Sequence, residues 1–212
     1  MEIVSFLFKW AHLLFGITWV GLLYYFNFVQ TEYFKEASAE GLGDAKAKLA
    51  PRALAWFRWA SKFTFLSGLI LFYFLGKNGT TNDYIVIGAL MGTLMFINVM
   101  ALIWPNQKVV LGLKEGDVAK SAAKAALASR TNVLFSAPML FCMLASHPLG
   151  YSADHILRAN GGGLGMYIVF GLIALIELNA LFGKMGPMAT IRGVIHLSLA
   201  LSALVFCLVL FL

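Results

Sequence analysis

Four side chains in this sequence combine ionisable chemistry with strongly apolar surroundings: His12, His147, Glu177 and His196. A titratable group is expensive to place inside a bilayer, so each is a functional candidate by default. Neutral imidazoles are common metal ligands, and two of them in one leaflet can hold a haem iron from opposite faces. His12 and His147 meet that condition, because counting ~1.5 Å per residue from the middle of each apolar run places them ~6 Å and ~13 Å outward of the membrane centre. Gly16, one turn from His12, leaves space beside the imidazole, and Trp19 follows on the same stripe. The competing readings are a histidine hydrogen-bonded to a neighbouring helix and an interfacial histidine ending a helix in water. Glu177 and His196 fall roughly 7–10 Å inward by the same count. With Lys184 and Arg192 near them, a structural pairing is expected rather than a proton path, with Glu177 held by a hydrogen bond or a cation.

The elements that must position these groups are membrane helices. Of the 212 residues, 60% are apolar and only 12% charged, against roughly 25% charged in soluble domains. The mean hydropathy is +0.82. Runs long enough to span lie at residues 3–29, 55–75, 84–104, 164–182 and 191–212, with a weaker one at 132–147. Pro138 predicts a kink there, with the freed carbonyl satisfied by a neighbouring helix. The fold class is therefore all-α, a polytopic integral membrane protein of about six spans in one membrane domain, residues 1–212. On the first span, His12, Gly16, Trp19, Leu23, Asn27 and Gln30 repeat at helical spacing, a stripe that must face protein.

Thirteen of the sixteen Lys and Arg fall in or beside the odd-numbered loops, leaving Lys9, Lys77 and Arg158 opposite. The positive-inside bias makes those loops cytoplasmic and puts both termini outside. Cations placed between apolar runs, rather than gathered on a soluble face, argue against nucleic acid as a partner. The first run is too long for a cleaved signal, lacks a basic leader and is expected to be retained. Residues 31–51 and 112–129, rich in Ala, Lys and Glu, are expected to form helices at the cytoplasmic surface. Cys142 and Cys207 lie within apolar runs, where neither a disulfide nor a thiolate site is expected. No C-x-x-C-H occurs, so any haem is non-covalent. Metalloprotease, serine-hydrolase and dinucleotide motifs are also missing.

The stretch from His12 to Gly21, the segment Trp104-Pro105-Asn106-Gln107-Lys108, and Arg130-Thr131-Asn132 through Pro138 to His147-Pro148-Leu149 resemble the membrane domain of bacterial membrane-bound urate hydroxylases, the urate oxidase N-terminal family. The H-x6-W-x-G opening is similar also to copper-resistance D proteins and to the membrane protoporphyrinogen oxidase family. The resemblance covers approximately residues 5–150 and implies a bacterial inner-membrane protein with periplasmic termini that works with a cytochrome c. Family members carry that cytochrome as an outward-facing domain, whereas this sequence ends at Leu212 without one, so a separate cytochrome is expected. Both His12 and His147 fall on the family's motifs. The resulting expectation is a haem-b-binding, electron-transferring subunit, with His12 and His147 as iron ligands and Gly16 and Trp19 against the ring. The resemblance alone raises oxidation of a small substrate such as urate, and no residue is assigned as its base. The alternative is a cofactor-free accessory subunit of a larger respiratory or photosynthetic complex.

Overall fold

The computed structural model describes residues 2–146 and 163–212, all helix and short connections with no strand among them. Helix α1 (Glu2–Tyr24) runs through a π-helical turn (Tyr25–Gln30) into α2 (Thr31–Glu36). After α3 (Ala39–Asp44), the chain passes through a second π-turn into α4 (Ala50–Lys77). Helix α5 (Asp83–Ile97) continues through a third π-turn (Asn98–Ile103) into α6 (Trp104–Val110). The remaining helices are α7 (Val118–Ala145), α8 (Leu164–Phe182) and α9 (Ile191–Phe211). Grouped into continuous rods, these make six segments long and apolar enough to cross a membrane. Residues 147–162, His147 and Arg158 among them, lie outside the described residues.

Side-chain caps fix where several rods begin. Asn82 accepts from the Ile85 amide at 3.0 Å, Asp117 from Lys120 at 3.0 Å and Thr190 from Gly193 at 3.0 Å. Each replaces one of the helical bonds that the first-turn amides lack. Exposed residues on α1 such as Ile3, Phe6, Trp10, Leu13 and Ile17 recur every three or four positions, forming a lipid-facing stripe opposite the protein-facing one. On the other face Trp19, Leu23 and Asn27 are buried, as the spacing predicts.

Helix α7 is the hub: α1, α5, α6, α8 and α9 all pack on it, while α4 packs mainly along α1 and also touches α5, where Phe65 stacks on Phe96. Its packing is close. A methyl at Gly88 of α5 would stand 3.1 Å from the Cys142 Cβ and 3.4 Å from the Met139 carbonyl oxygen. Bare backbone there lets α5 and α7 approach, as small residues commonly do between membrane helices. The expected division of residues 112–147 into a surface helix and a separate span is corrected: residues 118–145 form one 28-residue rod. Arg130, Thr131 and Asn132 read as a polar boundary, yet all three are buried against neighbouring helices.

The rod runs through Pro138 without a break in its helical assignment. Proline has no N–H, so the Leu134 carbonyl loses its partner four residues on. The Ser198 hydroxyl of α9 donates to that oxygen at 2.8 Å, with the Val133 oxygen at 3.2 Å. The adjacent helix thus closes the gap in the ladder, as the sequence argument required.

Candidate functional site

His12 faces α4. Its Nδ1 lies 2.9 Å from the Thr64 carbonyl oxygen and 3.1 Å from Ser67 Oγ. A carbonyl can only accept, so Nδ1 carries the proton in a neutral ring and Nε2 keeps its lone pair. Ser67 Oγ has its own acceptor in the Phe63 carbonyl at 2.6 Å, which leaves it free to receive from Nδ1. This is the arrangement by which a backbone carbonyl orients a metal-ligating histidine and raises its basicity. Opposite the ring lies Gly68, where a methyl would come within 3.0 Å of Cε1.

The other residues expected around His12 are placed as follows. Gly16 faces α4 too, where its nearest neighbour is the Thr64 methyl at 3.9 Å from a hypothetical Cβ. Trp19 is 3% exposed in the main core, and its indole N–H has no partner among the described residues. His147 lies outside the described residues, so its distance from His12 is not part of this geometry.

A second polar cluster joins α5, α7 and α8. Asn132 donates to the Met95 carbonyl at 2.9 Å, which turns its Oδ1 toward Asn98. Asn98 accordingly presents its NH₂, giving one hydrogen bond to Asn132 Oδ1 at 3.0 Å and one to Glu177 Oε2 at 3.2 Å. Both asparagines are fully buried, and Asn98 Oδ1 is left without a partner among the described residues. Glu177 is thus held by a hydrogen bond, one of the two options the sequence left. His196 stands exposed on α9 and takes no part in this cluster.

The chain of amides was only half legible. Asn27 and Asn98 stand out in sequence as polar residues within apolar runs, but the turns that aim them do not. Each begins or lies within a π-helical turn, and such turns often mark functional sites. Asn27 donates to Ser129 Oγ on α7 at 2.7 Å. One step along, Tyr24 Oη is 2.8 Å from Ser136 Oγ. Ser136 uses its proton on the Val133 carbonyl at 2.7 Å, so the phenol is the donor. Arg130, missed as a candidate, is 7% exposed, and its Nη1 has no hydrogen-bond partner among the described residues.

The Trp-Pro-Asn-Gln-Lys segment has a structural use. The Arg58 guanidinium of α4 sits 4.1 Å from the Trp104 ring centroid, a cation–π contact that ties α4 to α6. Asn106 donates to the Leu102 carbonyl at 2.7 Å within the turn that Pro105 interrupts. Among the described residues no group of three or more His, Cys, Asp or Glu is placed to hold a bare metal ion. What the geometry offers instead is a single oriented imidazole and a buried amide–carboxylate chain.

Nothing matches the chain among curated proteins or among solved structures. The model of one family, described as urate oxidase N-terminal, matches residues 77–157. That span contains the Trp104–Lys108 and Arg130–Leu149 segments, while the His12–Gly21 stretch lies before it. Over residues 77–157 the chain is accordingly a match to the urate oxidase N-terminal family, in agreement with the resemblance carried by its motifs.

Proposed function

We propose that this protein is a haem-b-binding membrane subunit that transfers electrons, with a periplasmic cytochrome c as its partner. The observation that carries the reading is His12, whose Nδ1–H is held by the Thr64 carbonyl at 2.9 Å and whose Nε2 is thereby left to ligate. The residues present suit the group in that respect: a neutral imidazole of fixed tautomer is what a haem iron would take as a ligand. When bound, haem would supply one-electron chemistry at its iron. The chain's own contribution is to orient the ring through Thr64 and Ser67 and to press α4 close through Gly68, with Trp19 of the same helix buried in the main core. His147 is the proposed second ligand, on the strength of its leaflet and its motif.

The accessory-subunit reading draws on the same contact, since the Thr64 bond by itself accounts for a histidine between two membrane helices. Haem retention separates the two. Protein produced with ample haem and purified in mild detergent is expected to show a Soret band that His12→Ala and His147→Ala each abolish or strongly weaken, and that His196→Ala leaves intact. A wild-type protein with no Soret band, or a band indifferent to His12, overturns the proposal in favour of the cofactor-free subunit.

A further inference from the structure

Along the outer seam between α1 and α4 runs a groove of about 260 Å³, walled by Leu14, Phe15 and Thr18 on one side and Trp56, Trp59 and Phe63 on the other. Its volume is below the roughly 300–1,000 Å³ of small-molecule pockets. The one hydroxyl on the walls is satisfied, Thr18 donating to the Leu14 carbonyl at 3.1 Å, and the polar groups that remain are the indole N–H groups of Trp56 and Trp59. Trp56 and Trp59 nonetheless stand 69% and 48% exposed at this seam. Such a slot suits a linear hydrocarbon chain better than a flat or polar ligand.

Charge says which chain. Arg52 precedes Trp56 by four residues and so lies on the same face of α4, about 6 Å nearer that helix's N-terminal end. It is exposed and makes no ion pair among the described residues, where the ion pairs are Lys35 with Glu32 and Lys48 with Asp44. Lys62 reaches back one turn to place its ammonium 4.5 Å from the Trp59 ring centroid, again with no carboxylate in ion-pair range among the described residues. Two cations with no ion-pair partner among the described residues therefore stand beside this apolar slot, Arg52 in the first turn of α4 and Lys62 about 15 Å further along it with its ammonium turned back to Trp59. Trp56, about 13 Å from the middle of the 55–75 run, stands at the depth where the aromatic belt of a membrane protein meets the headgroups, and the groove runs from there toward the membrane centre.

We propose that this seam is a binding site for one anionic glycerophospholipid, an acyl chain lying in the groove and the phosphate meeting Arg52, with the Lys62 ammonium at Trp59 reaching toward it as a second positive charge. Arginine pairs well with phosphate, and basic pockets between membrane helices select anionic headgroups on this principle. The site is independent of the haem proposal and stands or falls without it.

The test is tryptophan quenching in nanodiscs of phosphatidylcholine doped with either phosphatidylglycerol or phosphatidylcholine brominated on the acyl chain. The groove's share of the signal is the difference between the wild type and W56F/W59F. Expected is half-maximal quenching at a lower mole fraction of brominated phosphatidylglycerol than of brominated phosphatidylcholine, by roughly fivefold per engaged cation. Arg52→Gln with Lys62→Gln should erase that preference, while Lys120→Gln on α7 should keep it. Equal quenching by the two lipids, or a preference that survives R52Q/K62Q, overturns the proposal. So does shielding of Trp56 and Trp59 from both lipids, which would put a second copy or another protein in the groove.

Discussion

Replacing Asn132 tests the buried amide chain at its most connected point. Asn132 is fully buried and makes two bonds, accepting from Asn98 at 3.0 Å and donating to the Met95 carbonyl at 2.9 Å. Hydrogen bonds between membrane helices average about 0.6 kcal/mol by double-mutant cycles and reach about 1.7. Leaving a buried donor or acceptor unpaired adds about 1–3 kcal/mol. Asn132→Ala removes both bonds and leaves an Asn98 side-chain N–H without its partner, while the Met95 carbonyl keeps the Asn98 backbone N–H, so a loss of about 2–4 kcal/mol is expected. Asn98→Ala should cost a similar amount, because it withdraws a donor from Asn132 and from Glu177 together. The sharper quantity is their coupling, expected at about 0.6–1.7 kcal/mol, since the Asn98–Asn132 bond can be lost only once. Reversible unfolding by SDS in bicelles gives all four corners of the cycle. A coupling energy indistinguishable from zero would refute the bond and, with it, the assigned orientation of the Asn98 amide.

Further expectations follow the same contacts. Glu177→Gln keeps an oxygen for the Asn98 N–H and should lower stability less than Glu177→Leu; equal and negligible effects in the same unfolding assay would contradict the Asn98 contact. Ser198→Ala should cost about 1 kcal/mol in the wild type and clearly less in a Pro138→Ala background, where the Leu134 carbonyl recovers a helical donor, as a double-mutant cycle will report. Gly88→Leu should destabilise strongly by forcing α5 from α7, measured as loss of folded protein after detergent extraction. Glu115→Cys, in a background without Cys142 and Cys207, should resist an impermeant thiol reagent applied to intact cells, because Lys108, Lys114, Lys120 and Lys124 predict a cytoplasmic side for this segment by the positive-inside bias.

Much of the architecture was legible because the bilayer imposes a length and a polarity on every span. The buried stripe Trp19, Leu23 and Asn27 came directly from helical spacing, and the need for an outside donor at Leu134 came directly from Pro138. Two kinds of feature were hidden. The continuity of α7 was obscured because Arg130, Thr131 and Asn132 look like a helix boundary unless one knows which carbonyls and hydroxyls the neighbouring helices bring to them. The π-turns at Tyr25–Gln30 and Asn98–Ile103 have no periodicity signal of their own, yet they set the aim of Asn27 and Asn98. The site itself divides the same way. His12 could be singled out as a costly residue in an apolar run, but its choice of Nδ1 for Thr64 is a tertiary fact. Depth counting placed Glu177 and His196 together, whereas their helix faces part them: one turns to Asn98 and the other stands exposed.

The most direct test of the central claim is low-temperature electron paramagnetic resonance of the oxidised, haem-replete protein. If His12 and His147 both hold haem, the expected signal is low-spin ferric, retained in His196→Ala and lost in both His12→Ala and His147→Ala. A protein with no ferric haem signal, or with a signal unchanged by His12→Ala, contradicts it.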